Sequence, residues 1–184
     1  MSDVQKSYIL QREAKILFET GNVIGCVDVI SYAINLNHVI PFFLLRASCY
    51  LKLHKFPDAY FDYCFAIQIE PEVASHFSQR GLCLARLKKL DMALEDLNTA
   101  CQLENSNAQY FITRATLYLD NGGYDRAIKD FNKAISLLEH EDCDSDGEKM
   151  DMLILALYRR AKVYHELKKF TVLKSYILVS HLFS

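Results

Sequence analysis

Residues 40–73 read IPFFLLRASCYLKLHKFPDAYFDYCFAIQIEPEV. A large apolar residue, Phe43, is followed at helical spacing by a small one, Ala47, and a second large one, Tyr50. After His54 and Lys55 the order inverts to small, large, small: Ala59, Tyr63 and Ala66. Two helical apolar faces parted by a short polar break predict a pair of antiparallel helices. Working outward, the central small residue recurs as Ala14, Ala47, Gly81, Ala115 and Ala161, in steps of 33, 34, 34 and 46. Large residues four before it (Leu10, Phe43, Phe77, Phe111, Leu157) and three after it (Leu17, Tyr50, Leu84, Tyr118, Tyr164) keep the same steps. So do the second-helix landmarks Cys26, Ala59, Ala93 and Ala127, then Ile30, Tyr63, Leu97 and Phe131, then Ala33, Ala66, Ala100 and Ala134. The chain is an internal repeat with a period of about 34 residues.

This order, closed by Pro71 in the stretch quoted, resembles the tetratricopeptide repeat, with Leu or Phe standing where that repeat carries its signature Trp. The resemblance covers nearly the whole chain. It implies an all-α fold, a right-handed superhelical array of antiparallel helix pairs over 1–184, with units at about 7–39, 40–73, 74–107 and 108–141 and an atypical fifth over 154–184. Turns are expected at Thr20-Gly21-Asn22, His54-Lys55, Lys88-Lys89, Asn121-Gly122-Gly123 and Lys168-Lys169. One such pair cannot bury both of its faces, so stability is expected from stacking.

Proteins of this kind hold a partner's peptide or helix on the surface lined by the first helix of each pair, which implies a non-enzymatic binding module or adaptor. The matching positions are Leu44, Ser48 and Leu51 in the second unit and Ser78, Leu82 and Ala85 in the third. In the fourth they are Gln109, Ile112, Thr116 and Leu119. This lining is largely uncharged and suits an apolar or amphipathic segment. The co-chaperone subclass that clamps a carboxylate terminus is disfavoured. Its Lys, Asn and Arg positions fall on Gln11, Lys15, Leu45, Ser75 and Gln79, and shifting the frame by one unit gives Leu44, Ser48, Gln79, Gln109 and Thr113. The charge-assisted bonds such a terminus requires are therefore missing. The alternative reading is a structural segment, or a truncated isoform, of a larger cytoskeletal or ciliary scaffold built from the same repeat.

A net charge of −2 gives no electrostatic footprint for nucleic acid. The start of the chain, with Asp3 and Lys6 in its first turns, lacks the pattern of a signal peptide, and no apolar run reaches spanning length. A cytoplasmic protein is the expectation. The six cysteines, at 26, 49, 64, 83, 101 and 143, form no C-x-x-C pair and sit mostly where a small apolar residue packs. They read as buried reduced thiols. No glycine-rich phosphate loop or catalytic constellation is present, and no cofactor is expected.

Three units carry an Arg before the first-helix small residue and an Asp before the second-helix large one: Arg46 and Asp62, Arg80 and Asp96, Arg114 and Asp130. Each pair spans 16 residues about its turn, which sets the two side chains at one height in an antiparallel hairpin. Such ties, if exposed, are worth at most about 1 kcal/mol. The first unit has Glu13 and Val29 there, and the fifth has Arg160 and Tyr176. Between the fourth and fifth units lies an acidic insert, about 139–150, in which Asp142, Asp144, Asp146 and Gly147 open like a calcium loop. The closing bidentate Glu is replaced by Leu153, so tight calcium binding is not expected; Ser145 with Glu148 alternatively reads as a capping box. In the C-terminal stretch Leu173, Ile177 and Leu178 have no following repeat to cover them, which predicts self-association through this helix.

Overall fold

The computed structural model describes residues 2–140 and 147–182, with side chains placed for 2–139 and 147–168. The described residues form nine helices and no strand: α1 Asp3–Glu19, α2 Val23–Leu36, α3 Ile40–Lys52, α4 Phe56–Ile69, α5 Ala74–Arg86, α6 Leu90–Leu103, α7 Ala108–Asp120, α8 Tyr124–His140 and α9 Gly147–Leu182. The chain groups into two compact units, residues 1–103 and 104–184. The first contains the antiparallel pairs α1/α2, α3/α4 and α5/α6; the second contains α7/α8 and α9.

The helix ends follow from local chemistry. Ser2 and Gln5 form a capping box at the start of α1, and Asn22 Oδ1 accepts from the Gly25 N–H at 3.1 Å at the start of α2. Pro57 falls in the first turn of α4, where its missing N–H has no intrahelical partner to lose. Three first helices end in the same paired closure. The N–H of Lys55, Lys89 and Gly123 reaches back five residues to Tyr50, Leu84 and Tyr118 (2.8, 2.9 and 2.8 Å), while His54, Lys88 and Gly122 bond three residues back. That closure needs a left-handed residue. Gly122 supplies it at φ 74°, and Gly21 sits at φ 84° in the first turn, but His54 (φ 56°) and Lys88 (φ 62°) adopt it against the clash of Cβ with the carbonyl. His54→Gly and Lys88→Gly are each expected to stabilise the chain by about 0.5–1 kcal/mol, read as a higher urea midpoint at unchanged slope.

The small landmarks allow the close approach on which each pair depends. Ala14, Ala33, Ala47, Ala59, Ala66, Ala93 and Ala100 in the first unit, and Ala115, Ala127 and Ala134 in the second, are all 0% exposed. At Gly81 a Cβ would stand 3.1 Å from the Ala93 carbonyl oxygen, so α5 and α6 meet almost backbone to backbone. Large landmarks fill the remaining space: Phe43 stacks on Phe65 with centroids 4.0 Å apart, and Phe131 is fully buried. Cys26, Cys49, Cys83 and Cys101 are buried and Cys64 partly so; Cys143 lies outside the described residues. Cys26 and Cys49 place their sulfurs 3.1 Å apart between α2 and α3. Burial pushes the Cys49 thiol up to about 12 and Cys83 up to about 11, so these groups pack as small hydrophobes rather than as thiolates.

The turn expected at Lys168-Lys169 is absent, because α9 continues as one helix through both residues. Nothing there demands a left-handed residue, and two lysines are good helix formers. Among the described residues, no helix is long and apolar enough to cross a membrane.

Candidate functional site

The three Arg/Asp pairs meet as their spacing predicts, and more tightly than an exposed tie. Arg46 Nε and Nη2 donate to Asp62 at 3.0 and 2.7 Å, Arg80 to Asp96 at 2.8 and 2.7 Å, and Arg114 to Asp130 at 2.7 and 2.7 Å. Each is a two-pronged fork. The Asp side chains are only 4–7% exposed and the Arg side chains 17–22%, so the surface value near 1 kcal/mol does not apply. Each guanidinium also lies over the landmark Phe of its own helix, at 5.4 Å for Phe43, 5.6 Å for Phe77 and 5.5 Å for Phe111. A further arm reaches back to the preceding helix: Arg46 Nη1 donates to Ser31 Oγ at 3.3 Å and Arg80 Nη1 to Cys64 Sγ at 3.7 Å. Arg160, which has no acidic counterpart, keeps that backward arm alone, donating to Asn132 Oδ1 at 2.7 Å. Arg46 and Arg80 are thus spacers, each of which fixes the height of three helices.

Held at that height, α1, α3, α4 and α5 of the first unit enclose an open groove of about 440 Å³. Phe18, Leu44, Leu51 and Tyr63 give it apolar walls, and Ser48, Ser75, Gln79 and His76 give it polar edges. Lys52 stands at its rim with Nζ 3.8 Å from the centre of the Phe18 ring. His76 is buried and pairs through Nε2 with Glu70 Oε2 at 3.0 Å. Ser48 Oγ donates to the Leu44 carbonyl at 2.9 Å and hydrogen-bonds with the Tyr63 side chain.

Leu44, Ser48 and Leu51 therefore line the cleft. In the next pair Leu82 is 38% exposed and Ala85 half-buried, but Ser78 is 4% exposed and closed off. In the second unit Gln109 is exposed and Thr116 half-buried, whereas Ile112 (2%) and Leu119 (8%) are not open groove. There α9 lies against α7, and Arg159 Nη1 donates to Thr116 Oγ1 at 3.1 Å. The sequence frame fixed which side of α7 these residues occupy but not whether a later helix covers it. Phe18 was missed, although it stands four residues after Ala14 as Leu51 stands four after Ala47. Asp142, Asp144 and Asp146 lie outside the described residues. Among the described ones no three potential ligands gather for a metal.

A profile of the tetratricopeptide repeat matches residues 108–137. No curated protein sequence matches the chain. Among solved structures, MamA 41-end from Desulfovibrio magneticus RS-1 superposes with a TM-score of 0.67 at 11% identity, over 92% of this chain and 96% of that one. The first TPR of Spaghetti (RPAP3), bound to the HSP90 peptide SRMEEVD, gives 0.61 at 23% identity, over 66% and 97%. The TPR2B domain of yeast Sti1, in complex with pHsp70, gives 0.54 at 24%, over 66% and 98%. The fold is an all-α helical repeat like that of these structures, and residues 108–137 carry the tetratricopeptide-repeat profile.

Proposed function

We propose that the chain is a non-enzymatic adaptor that holds an apolar or amphipathic segment of a partner protein in the groove of its first unit. The observation that carries this reading is the cleft itself: four apolar walls, uncharged hydrogen-bonding edges and a single cation at the rim. Apolar side chains of a bound segment fill the space between Phe18, Leu44, Leu51 and Tyr63, while Ser48, Ser75 and Gln79 meet its backbone amides. Two of the structural relatives are recorded with peptide or chaperone bound, which supports the peptide-binding role in general. A two-carboxylate clamp draws no support here, because Lys52 is the one cation in the lining and a clamp distributes several charge-assisted bonds over two carboxylates.

Panning a random peptide library on the purified chain tests this. Enriched peptides are expected to carry two or more large apolar residues and no requirement for a free acidic C-terminus. Ser75→Trp, at an exposed lining position, and Leu44→Lys should each weaken their binding at least tenfold, about 1.4 kcal/mol, with helicity retained. Enrichment of peptides that depend on an acidic terminus, or equal binding by both variants, would sink the reading.

A further inference from the structure

Five residues in the first half of α9 share one stripe. Met150, Ile154, Leu157, Ala161 and Tyr164 follow one another at steps of four, three, four and three. At about 100° per residue they stay within an arc of roughly 80°. Met150 is 55% exposed, Ile154 57%, Leu157 39% and Tyr164 51%, and Ala161 is exposed too. The opposite side of the same helix is buried, with Ala156 and Val163 at 0%. Leu157, Ala161 and Tyr164 are the fifth set of large-small-large landmarks. In α3 and α7 the equivalent Phe43 and Ala47, Phe111 and Ala115 are 0–8% exposed, in pairs closed by a returning second helix. Among the described residues no second helix returns on α9, since it runs straight through the expected turn.

We propose that this stripe is a self-association surface on which α9 of a second copy lies antiparallel, about a two-fold axis. Alternating steps of four and three form the seam of a two-stranded coiled coil. Ala161 leaves room in that seam for a large side chain from the facing helix. Charge sets the direction. Asp151 flanks the N-terminal end of the stripe, and Lys162, His165 and Lys168 lie at the other end, all exposed. Antiparallel pairing brings acid beside base at both ends, whereas parallel pairing sets like beside like. Size agrees as well. With Tyr158 (69%) beside the seam, five large side chains present roughly 600 Å² per copy, so pairing removes about 1,200 Å², the lower bound of specific interfaces. The exposed apolar residues of α1 form no such seam, because Val4 and Tyr8 lie on one side of that helix and Ile9 and Ile16 on another. A two-fold contact of one face with itself closes at the dimer. The residues earlier in α9 thus take the role expected of Leu173, Ile177 and Leu178, whose side chains lie outside the described set.

Sedimentation equilibrium of the full chain, from low to high micromolar concentration, tests the proposal. A reversible monomer–dimer equilibrium is expected, weakened at least tenfold by Tyr164→Glu or by Ala161→Glu. Asp151→Lys should weaken it as well, and Asp151→Lys combined with Lys162→Asp in the same chain should restore it, a recovery that a merely sticky patch would not give. Circular dichroism reports folding; should one glutamate variant lose helicity, the other and the charge pair still decide. A chain that stays monomeric, that grows past the dimer, or whose dimer ignores these substitutions would overturn the proposal.

Discussion

Asp96→Ala is expected to cost about 3 kcal/mol or more of folding stability, although it removes a side chain from a hairpin whose apolar contacts all remain. The reason lies in what it strands. Arg80 is 22% exposed, lies over Phe77 and directs two donors at the Asp96 carboxylate, so without that carboxylate a largely desolvated guanidinium has only the weak Cys64 sulfur at 3.7 Å to meet. A chain of this kind has of order 10 kcal/mol in total, so about a third of it hangs on one pair of residues. Arg80→Met with Asp96→Leu should recover most of the loss, since two matched apolar groups leave nothing unpaired. Urea unfolding of wild type, both single variants and the double closes the cycle. A loss below 1 kcal/mol in Asp96→Ala would show that the fork behaves as an exposed bridge.

The same logic separates register from net stability. Burial lifts the Asp62 carboxyl above its ordinary value even though the Arg46 fork pulls the other way. A carboxyl raised in the folded state contributes stability below its unfolded pKa and loses that contribution as pH rises through the folded one. Burial thus works against ionising Asp62, while the same fork holds the Arg46 guanidinium above its ordinary value, so the two effects oppose each other within the pair. What the pair supplies is height: the arms of Arg46 to Ser31 and Asp62 admit one vertical position of α3 against α2 and α4. Such devices were legible in the sequence because they repeat, and 16 residues about a turn is a geometric statement. The turn at the end was not. Lys88-Lys89 and Lys168-Lys169 look alike, yet the first is held at φ 62° by a helix that packs back and by the Arg80–Asp96 fork. Arg160 has Tyr176 where an acid would have to stand, and no fork draws a second helix back.

Ile112→Lys is expected to unfold the second unit, whereas Leu44→Lys, at the same position of the repeat, should leave the first unit folded and lose only its ligand. In the sequence the two residues are equivalent. In the structure Ile112 is 2% exposed on a face where Arg159 of α9 reaches across to Thr116, and Leu44 is a half-buried wall of an open groove. An ammonium at 112 cannot reach water without parting α7 from α9, and it arrives beside a guanidinium already there. Desolvation of one ion alone costs several kcal/mol, and like charge adds to it. At 44 the four-carbon stem lies along Leu51 and Phe18 while the charge stays in the cleft's water, at a cost of about 1 kcal/mol. Thermal melts followed by circular dichroism should show Ile112→Lys losing cooperative unfolding from part of its helices, and Leu44→Lys melting within a few degrees of wild type. If Ile112→Lys melts normally, α9 does not hold that face, and the fourth pair is as open to a ligand as the second. If Leu44→Lys unfolds instead, the groove wall is core, and the binding site must lie elsewhere.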